Sequence, residues 1–358
     1  MSGKLTIATL RRQAVVGSLG RPTSLARAIV AAGFVQADPI RAPARAQDLI
    51  LRHRVSGYRA GDLERRFARL GLEEDFLYAY GFMPHQTAHL LHPRDPDTSG
   101  RYDVPRDLAA DVLAFVRDQG PTHPADLEAR FGKERAINGW GGFSKATTRA
   151  LQHLHYHGSL RVATRRDGIR IYEAAAPRPD ALSPQERSRL IVLLVVRILA
   201  PLAEAGLAST FGLLNRGAPG LGGWRQTVET LLGSGELESG EVDGVRYIWP
   251  AGLAARRIVP DTVRLLAPFD PIVWERRRFE HLWGWEYRFE AYTKPEQRKM
   301  GYYAMPLLWR DAIIGWANVS VTDGRLDVDL GFVEKRPKDT AFRQALDAEL
   351  AAMESFLT

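Results

Sequence analysis

Two side chains that could do chemistry stand two positions apart in "GFVQADPIRAPARAQ", residues 33–47. In an extended segment, residues i and i+2 project to the same side, so Gln36 and Asp38 would share one face. Pro39 favours this geometry, because a residue that precedes proline is pushed out of the helical region. A carboxylate and an amide held side by side could serve a substrate.

The same residues also fit a purely structural role. Asp38 as an N-cap and Pro39 at the first helical position describe the ordinary start of a helix over the residues that follow. The two interpretations are compatible, since a carboxylate fixed at a helix start could still act on a substrate.

The bulk properties restrict the class of protein. A chain of 358 residues predicts two to four compact units, and 45% hydrophobic with 25% charged residues is typical of an ordinary folded protein. The net charge of +7 favours an acidic polyelectrolyte or membrane surface as partner. The sequence contains no cysteine, which excludes disulfides, thiolate metal sites and cysteine nucleophiles.

The apolar segments do not predict a membrane protein. The N-terminus has no continuous apolar region typical of a signal peptide, and the longest apolar run, from Leu190, is interrupted by Arg197 and Pro201. We therefore expect a cytoplasmic protein that does not bind membranes.

Two stretches repeat one pattern: three helices followed by two strands that are joined by a charged turn. The first runs from about Asp103 to Ala176 and the second from about Ser183 to Pro250, with Asp167-Gly168 and Asp243-Gly244 at equivalent turns. Helix-helix-helix-hairpin in about seventy residues predicts a winged helix, whose third helix normally enters the major groove of DNA. A winged helix can also be a protein-interaction module.

The two ends of the chain complete the predicted architecture. Residues 1–102 are consistent with a divergent third copy, in which "FVQADPI" is extended and the stretch from Arg59 to Pro93 continues as helix. From Val263, alternating aromatic and β-branched residues with turns at Lys294-Pro295, Arg310-Asp311 and Asp323-Gly324 predict a small antiparallel sheet or barrel. The predicted fold class is α+β, with tandem winged-helix domains at 1–102, 103–176 and 177–258 and a C-terminal antiparallel β-barrel with a terminal helix at 259–358.

Metal and nucleotide chemistry have little support in the sequence. His85, His89 and His92 have helical spacing, but Gln86 stands where the zinc-protease signature needs glutamate. No glycine-rich phosphate loop and no serine nucleophile motif is present. We predict neither a metal nor a cofactor.

A cluster near the C-terminus admits two interpretations. "PEQRKMGYYAMPLLWRD" holds Arg298, Lys299, Tyr302 and Tyr303 around what looks like a hairpin. Such a hairpin could lay cations and aromatic rings along nucleic acid. It could equally be the core of the barrel with a solvated turn.

Taken together, these segments resemble the AlkZ/YcaQ-like bacterial DNA glycosylases. The resemblance rests on "GFVQADPI…RAQDLILRHRVSGY", on the tandem repeat, and on "LLAPFDPIVWERRRFEHLWGWEYRFEAYTKPEQRKMGYYAMPLLW", which is its most specific part. It implies excision of alkylated bases, including N7-alkylguanines and some interstrand crosslinks, in base-excision repair. The family's motif is Gln-x-Gln in the AlkZ branch and Gln-x-Asp in the YcaQ branch, which Gln36 and Asp38 match. The following "DPIRAPARAQ" departs from the better-known "DTI" type.

The resemblance implies roles for these residues. Asp38 would stabilise the sugar cation and take a proton from the attacking water, which Gln36 would hold by hydrogen bonds. No lysine is adjacent to the motif, which predicts a monofunctional hydrolase that leaves an abasic site. Further side chains would bind double-stranded DNA, with some of the arginines pairing with surface carboxylates instead: Arg41, Arg45, Arg52, Arg54, Arg298, Lys299, Tyr302 and Tyr303.

We expect a monomeric, nucleoid-associated enzyme whose partner is DNA that contains alkylated bases. The alternative is a non-catalytic winged-helix DNA-binding protein, such as a transcriptional regulator.

Overall fold

The structure, a computed structural model, describes residues 5–20, 22–94, 104–132, 135–137, 143–177, 182–253 and 258–358. It is a mixed α+β fold, as predicted. The chain divides into two compact units, the first from residues 1–63, 188–212 and 223–358 and the second from 64–187 and 213–222. The predicted boundary at residue 102 lies outside the described residues, and the four-domain division stays a prediction.

The N-terminal part is helical, with a short extended piece between the second and third helices. A threonine cap starts its first helix, where the Thr6 side chain accepts the N–H of Thr9. The second helix ends at Gly33, whose φ of 70° is a left-handed conformation that glycine adopts without strain. The elements are α1 (Ile7–Leu19), α2 (Leu25–Ala32), β1 (Val35–Gln36) and α3 (Ala46–Leu51).

The stretch after Arg59 is not continuous helix, and that prediction is wrong. Two short helices enclose an antiparallel hairpin in which Leu72 pairs with Pro84 and Phe76 with Tyr80. The elements are α4 (Asp62–Arg66), β2 (Leu72–Phe76), β3 (Tyr80–Pro84) and α5 (His85–Leu91).

The acidic run in β2 explains the error. Its three carboxylates look like a solvated helix face, yet all three are buried. Glu74 accepts bonds of 2.6 and 2.8 Å from Arg165, and Asp75 lies 3.0 Å from Arg94 and 2.9 Å from His92. Burial alone would raise the pKa of both carboxyls, but these cationic partners outweigh it and lower the pKa of each.

Both predicted repeats show the expected order of three helices and a hairpin. The turns Asp167-Gly168 and Asp243-Gly244 have positive φ at both residues, which is the backbone that a two-residue hairpin requires. The two hairpins are thereby confirmed, while the assignment of both repeats as winged helices stays a prediction. The first repeat contains α6 (Arg106–Gln119), α7 (Pro124–Phe131), β4 (Arg135–Ile137), β5 (Phe143–Lys145), α8 (Ala146–Tyr156), β6 (Leu160–Arg166) and β7 (Ile169–Ala174). The second contains α9 (Pro184–Leu199), β8 (Leu202–Ala203), α10 (Glu204–Leu214), α11 (Trp224–Gly233), β9 (Leu237–Val242) and β10 (Val245–Pro250).

The C-terminal segment forms a four-stranded antiparallel sheet. The predicted turns at Arg310-Asp311 and Asp323-Gly324 are confirmed. Among the described residues the four strands lie side by side in chain order without closing, so they form an open sheet where a barrel was expected. The elements are β11 (Val263–Leu265), α12 (Pro271–Trp274), α13 (Arg276–Trp283), β12 (Met305–Trp309), β13 (Ala312–Thr322), β14 (Arg325–Phe332) and α14 (Thr340–Leu357).

The two faces of this sheet differ in polarity because side chains alternate along a strand. On one face Phe342 of α14 packs edge-on against Trp309 and Phe332, with ring centroids 5.6 and 6.3 Å apart. The opposite face of β13 and β14 carries Trp316 at one end and polar residues beyond it. Its cross-strand neighbours are Asn318 with Asp329 and Ser320 with Asp327.

None of the helices in the described ranges is long and apolar enough to span a bilayer.

Removing the charge of Asp75 should destabilise the second unit. We expect Asp75→Asn to lower the free energy of unfolding by about 3–5 kcal/mol, because Arg94 would be left buried without its counter-ion. The pKa of Asp75 is lowered in the folded state, so the wild-type contribution is complete at neutral pH and declines once the pH falls below about 4.

Urea unfolding measures this loss. Asp167→Asn is the matched control, because it changes the same charge at an exposed turn that asparagine also adopts. Equal unfolding midpoints for the Asp75 variant and the wild type would contradict the prediction.

Candidate active site

Asp38 lies in an irregular segment directly after β1, and it does not cap a helix. Its Oδ1 accepts the N–H of Ile40 at 2.9 Å, and its own N–H donates to Oε1 of Gln47 at 3.4 Å. The next helix begins at Ala46 with Arg45 as its N-cap, so the helix-start interpretation of Asp38 is wrong. Pro43 gives the reason, because a proline inside a helix that began at residue 39 would remove a hydrogen bond and clash with the preceding turn.

The carboxylate of Asp38 is partly withdrawn from solvent. Burial raises the pKa of this carboxyl, and the hydrogen bond from Ile40 opposes the rise only in part. A carboxylate in such a position acts more strongly on a nearby positive charge than one in bulk water.

Two residues near Asp38, in sequence or in space, have polar atoms without a hydrogen-bond partner: Gln36 and Tyr303. The buried Oε1 of Gln36 and the buried hydroxyl of Tyr303 make no hydrogen bond to any described residue. Burial and the nearby charge of Asp38 together raise the pKa of Tyr303. Because buried polar groups are almost always hydrogen-bonded, these two are atoms that a substrate or water would satisfy.

The segment with the predicted DNA-binding residues 298–303 is a loop before β12, and the hairpin expected there is absent. Glu290 holds the loop by accepting the backbone N–H groups of Lys299 at 2.9 Å, Met300 at 2.7 Å and Gly301 at 3.3 Å. Gly301 has a φ of 115° and leaves no room for a Cβ, which would lie 2.4 Å from the side chain of Asn318. This fixed loop therefore sets the positions of the tyrosines that follow it.

The side chains of this loop differ in exposure. Tyr302 is 44% exposed with the Arg298 guanidinium 5.1 Å from its ring centre, and Lys299 is exposed. Tyr303 is only 3% exposed and packs edge-on against Phe289. Tyr303 therefore faces the interior of the site, where it cannot act as a surface stacking residue.

The four arginines predicted beside the motif have different environments. Arg41 is exposed and Arg45 is half-buried. Arg52 and Arg54 lie inside the protein, with side chains 4% and 6% exposed. Arg52 pairs with Glu349 at 2.7 Å, and Arg54 makes a two-pronged bond of 2.7 and 3.1 Å to Asp270. This corrects the expectation that they bind phosphates or pair at the surface, because both are committed to buried carboxylates.

A cavity of about 510 Å³ opens beside the motif in the first compact unit. Its lining comes from residues 41–43, from Tyr302 and Tyr303, and from facing residues of β13 and β14. We call it the tyrosine cavity. Its volume is in the range of pockets that bind small organic groups.

Two of the three histidines at residues 85–92, His85 and His92, contact carboxylates of β2. His85 lies 2.9 Å from Glu73, and His92 lies 2.9 Å from Asp75. Within the part of the chain that the structure describes, no group of three or more metal-ligating side chains comes together.

The comparison with known families now identifies the chain. The profile of the family described as DNA glycosylase AlkZ-like matches residues 29–356. The chain belongs to the AlkZ-like DNA glycosylase family. This AlkZ-like glycosylase is therefore an enzyme that acts on DNA, which sets aside the non-catalytic alternative and confirms the resemblance seen in the sequence.

A solved structure supports the fold of this AlkZ-like glycosylase. The Streptomyces sahachiroi DNA glycosylase AlkZ is similar over 99% of this chain and 97% of that chain, with a TM-score of 0.65 and 15% sequence identity. At this low identity the likeness concerns the fold alone.

Several residues of the site were not found from the sequence. Glu290 stands among aromatic residues and carries no local sign of three backbone partners. Asp327 and Asp329 alternate with apolar residues in "RLDVDLGF", which is typical of any solvated strand face. Only the pairing of β14 with β13 shows that they line a cavity.

The loop should depend on Glu290. We expect Glu290→Gln to lower the free energy of unfolding by about 1–3 kcal/mol, because a neutral amide accepts hydrogen bonds less strongly than a carboxylate. Hydrogen exchange should accelerate at the amides of residues 299–301. Glu296→Gln, an exposed substitution on the same segment, is the control. Unchanged exchange at these three amides would show that Glu290 does not hold the loop.

Proposed function

We propose that this AlkZ-like glycosylase hydrolyses the N-glycosidic bond of alkylated purines of the N7-alkylguanine type in double-stranded DNA. One observation carries the proposal: the partly buried carboxylate of Asp38 lies two residues after Gln36, whose buried Oε1 has no partner among the described residues. The reaction would start base-excision repair, and the same site would unhook interstrand crosslinks that are joined through N7.

The chemistry of the substrate matches a site with one carboxylate. An N7-alkylated purine is already positively charged, so it leaves with the bonding electron pair and becomes neutral without prior protonation. The deoxyribose is left with oxocarbenium character, which the negative charge of Asp38 stabilises. Asp38 then accepts a proton from water as the water oxygen bonds to C1′, and the amide of Gln36 orients that water.

The product should be an intact strand with an abasic site. A lyase needs an amine that forms a Schiff base with the sugar, and no lysine occurs between residues 33 and 47. Hydrolysis through Asp38 therefore makes the enzyme monofunctional.

The side chains that would bind the DNA backbone line the tyrosine cavity or are close in sequence to residues that do. Arg41 lines the cavity and is exposed, and Lys299 is an exposed cation in the loop that leads to Tyr302. These cations would hold phosphates that flank the lesion, as would Arg298 and Arg45. Arg52 and Arg54 do not belong to this surface, because both are buried and paired with carboxylates.

Asp38→Asn is the direct test. We expect the excision rate of N7-methylguanine to fall about 10²–10⁴-fold, because asparagine neither stabilises the sugar cation nor accepts the proton. Duplex affinity should be retained. The assay converts abasic sites to strand breaks with hot alkali, and strand breaks without alkali would show a lyase.

The matched control is Asp347→Asn, which makes the same change at an exposed position of α14. An Asp38→Asn enzyme that excises at the wild-type rate would refute the role of Asp38. A wild-type enzyme that binds the duplex and excises no alkylated purine would refute the substrate.

The pH dependence provides a second test. The pKa of Asp38 is raised above 3.8, and only the ionised carboxylate is active in this mechanism. The single-turnover excision rate should therefore fall as the pH falls, with a midpoint above 3.8. The residual activity of Asp38→Asn should lack this acid limb. If the wild type and Asp38→Asn show the same loss of rate at low pH, a group other than Asp38 causes that loss.

A further inference from the structure

The tyrosine cavity contains more than a surface for the DNA backbone. Asn318 donates through Nδ2 to the carbonyl of Met300 at 2.6 Å, which leaves its buried Oδ1 as an acceptor without a partner among the described residues. Tyr303 is 97% buried, since only 3% of it is exposed, and its hydroxyl likewise has no partner there. Both side chains line the cavity. The wall of the cavity therefore contains two polar atoms without a partner among the described residues.

Two carboxylates stand on the same wall of the cavity. Asp327 and Asp329 are exposed on β14, in register with Ser320 and Asn318 on β13. Carboxylates beside a DNA-binding surface repel phosphates, so they oppose general affinity for DNA. They would favour a group of positive charge that enters the cavity.

The aromatic ring of Tyr302 also favours a positively charged group. Tyr302 is half-exposed at the cavity, where the Arg298 guanidinium lies 5.1 Å from its ring centre, and the face of a tyrosine ring attracts cations and stacks on planar bases. A planar cation thus satisfies the ring, the carboxylates and the two unpartnered polar atoms together. A phosphate could accept hydrogen bonds from Arg41 and from the Tyr303 hydroxyl, but the two carboxylates repel it.

From this arrangement we propose that the tyrosine cavity receives the damaged base itself, and that Asp327 and Asp329 make it selective for bases with a positive charge. The inference rests on the proposed function and assigns the lesion-selecting role to residues outside the Gln-x-Asp motif. It also requires that the base leaves the stack, because a base inside the duplex cannot enter a cavity of the protein.

The test compares two free ligands that differ in charge, so it does not depend on excision. The probes are the 7,9-dimethylguaninium cation and neutral 9-methylguanine, whose binding is followed by NMR titration of the full chain. The wild type should bind the cation at least about tenfold more tightly than the neutral base, because each carboxylate contributes roughly a factor of five near water. The double variant Asp327→Asn/Asp329→Asn should lose most of this preference.

The matched control is Asp323→Asn/Asp347→Asn, which removes two charges at exposed positions outside the cavity. It should keep the wild-type preference. A wild type that binds both probes equally, or binds neither, overturns the inference. A cation preference that persists in the Asp327/Asp329 variant also overturns it.

Duplex experiments separate this inference from the proposed function. In the Asp327/Asp329 variant, affinity for undamaged duplex should stay equal or rise, while single-turnover excision of N7-methylguanine falls about tenfold. Wild-type selectivity for the cation without any excision would refute the proposed substrate and leave the cavity assignment standing. Normal excision by the Asp327/Asp329 variant would refute the cavity assignment and leave the proposed function standing.

Discussion

The position of the Gln-x-Asp segment depends on a buried ion pair between Arg54 and Asp270. Asp270 is completely buried, accepts two bonds from the Arg54 guanidinium and also accepts the N–H of Ile272 at the start of α12. Arg54 additionally donates to the Ser18 hydroxyl at the end of α1. One carboxylate thus connects the helices around the motif with the segment that leads into the loop of Tyr303. An unpaired charge at this depth is strongly destabilising, so the two residues must act together.

The neighbours of Arg54 strengthen the same connection. Arg52 binds Glu349 of α14, and the ring of His53 donates to the carbonyl of Leu265 at 2.9 Å. Burial is the main reason that the pKa of His53 is well below its ordinary value, so this ring is neutral at physiological pH. Three consecutive residues therefore attach the N-terminal segment to three different parts of the C-terminal one. The motif acquires its surroundings from these contacts, since Tyr303, Asn318 and the acidic strand all belong to the C-terminal segment.

The sequence contains local information about this site but little about its long-range partners. Asp-Gly pairs predicted the hairpins, because a two-residue turn depends on a few adjacent residues. The shared face of Gln36 and Asp38 stays a prediction. The buried acids of β2 could not be recognised, since Glu74 has its partner 91 residues away. Arg52 and Arg54 were misassigned for the same reason, with carboxylates 297 and 216 residues further on. Closure of a barrel is likewise a property of distant strand pairing that alternation cannot reveal.

The separation of 216 residues between Arg54 and Asp270 also has a consequence for biosynthesis. Ribosomes extend a chain at about 5–20 residues per second. Asp270 is therefore synthesised on the order of 10 to 40 seconds after Arg54. The hairpins with two-residue turns can close within microseconds of leaving the exit tunnel. The nascent protein can therefore form its local hairpins first. The Gln-x-Asp segment reaches its final position only after the C-terminal part has been translated.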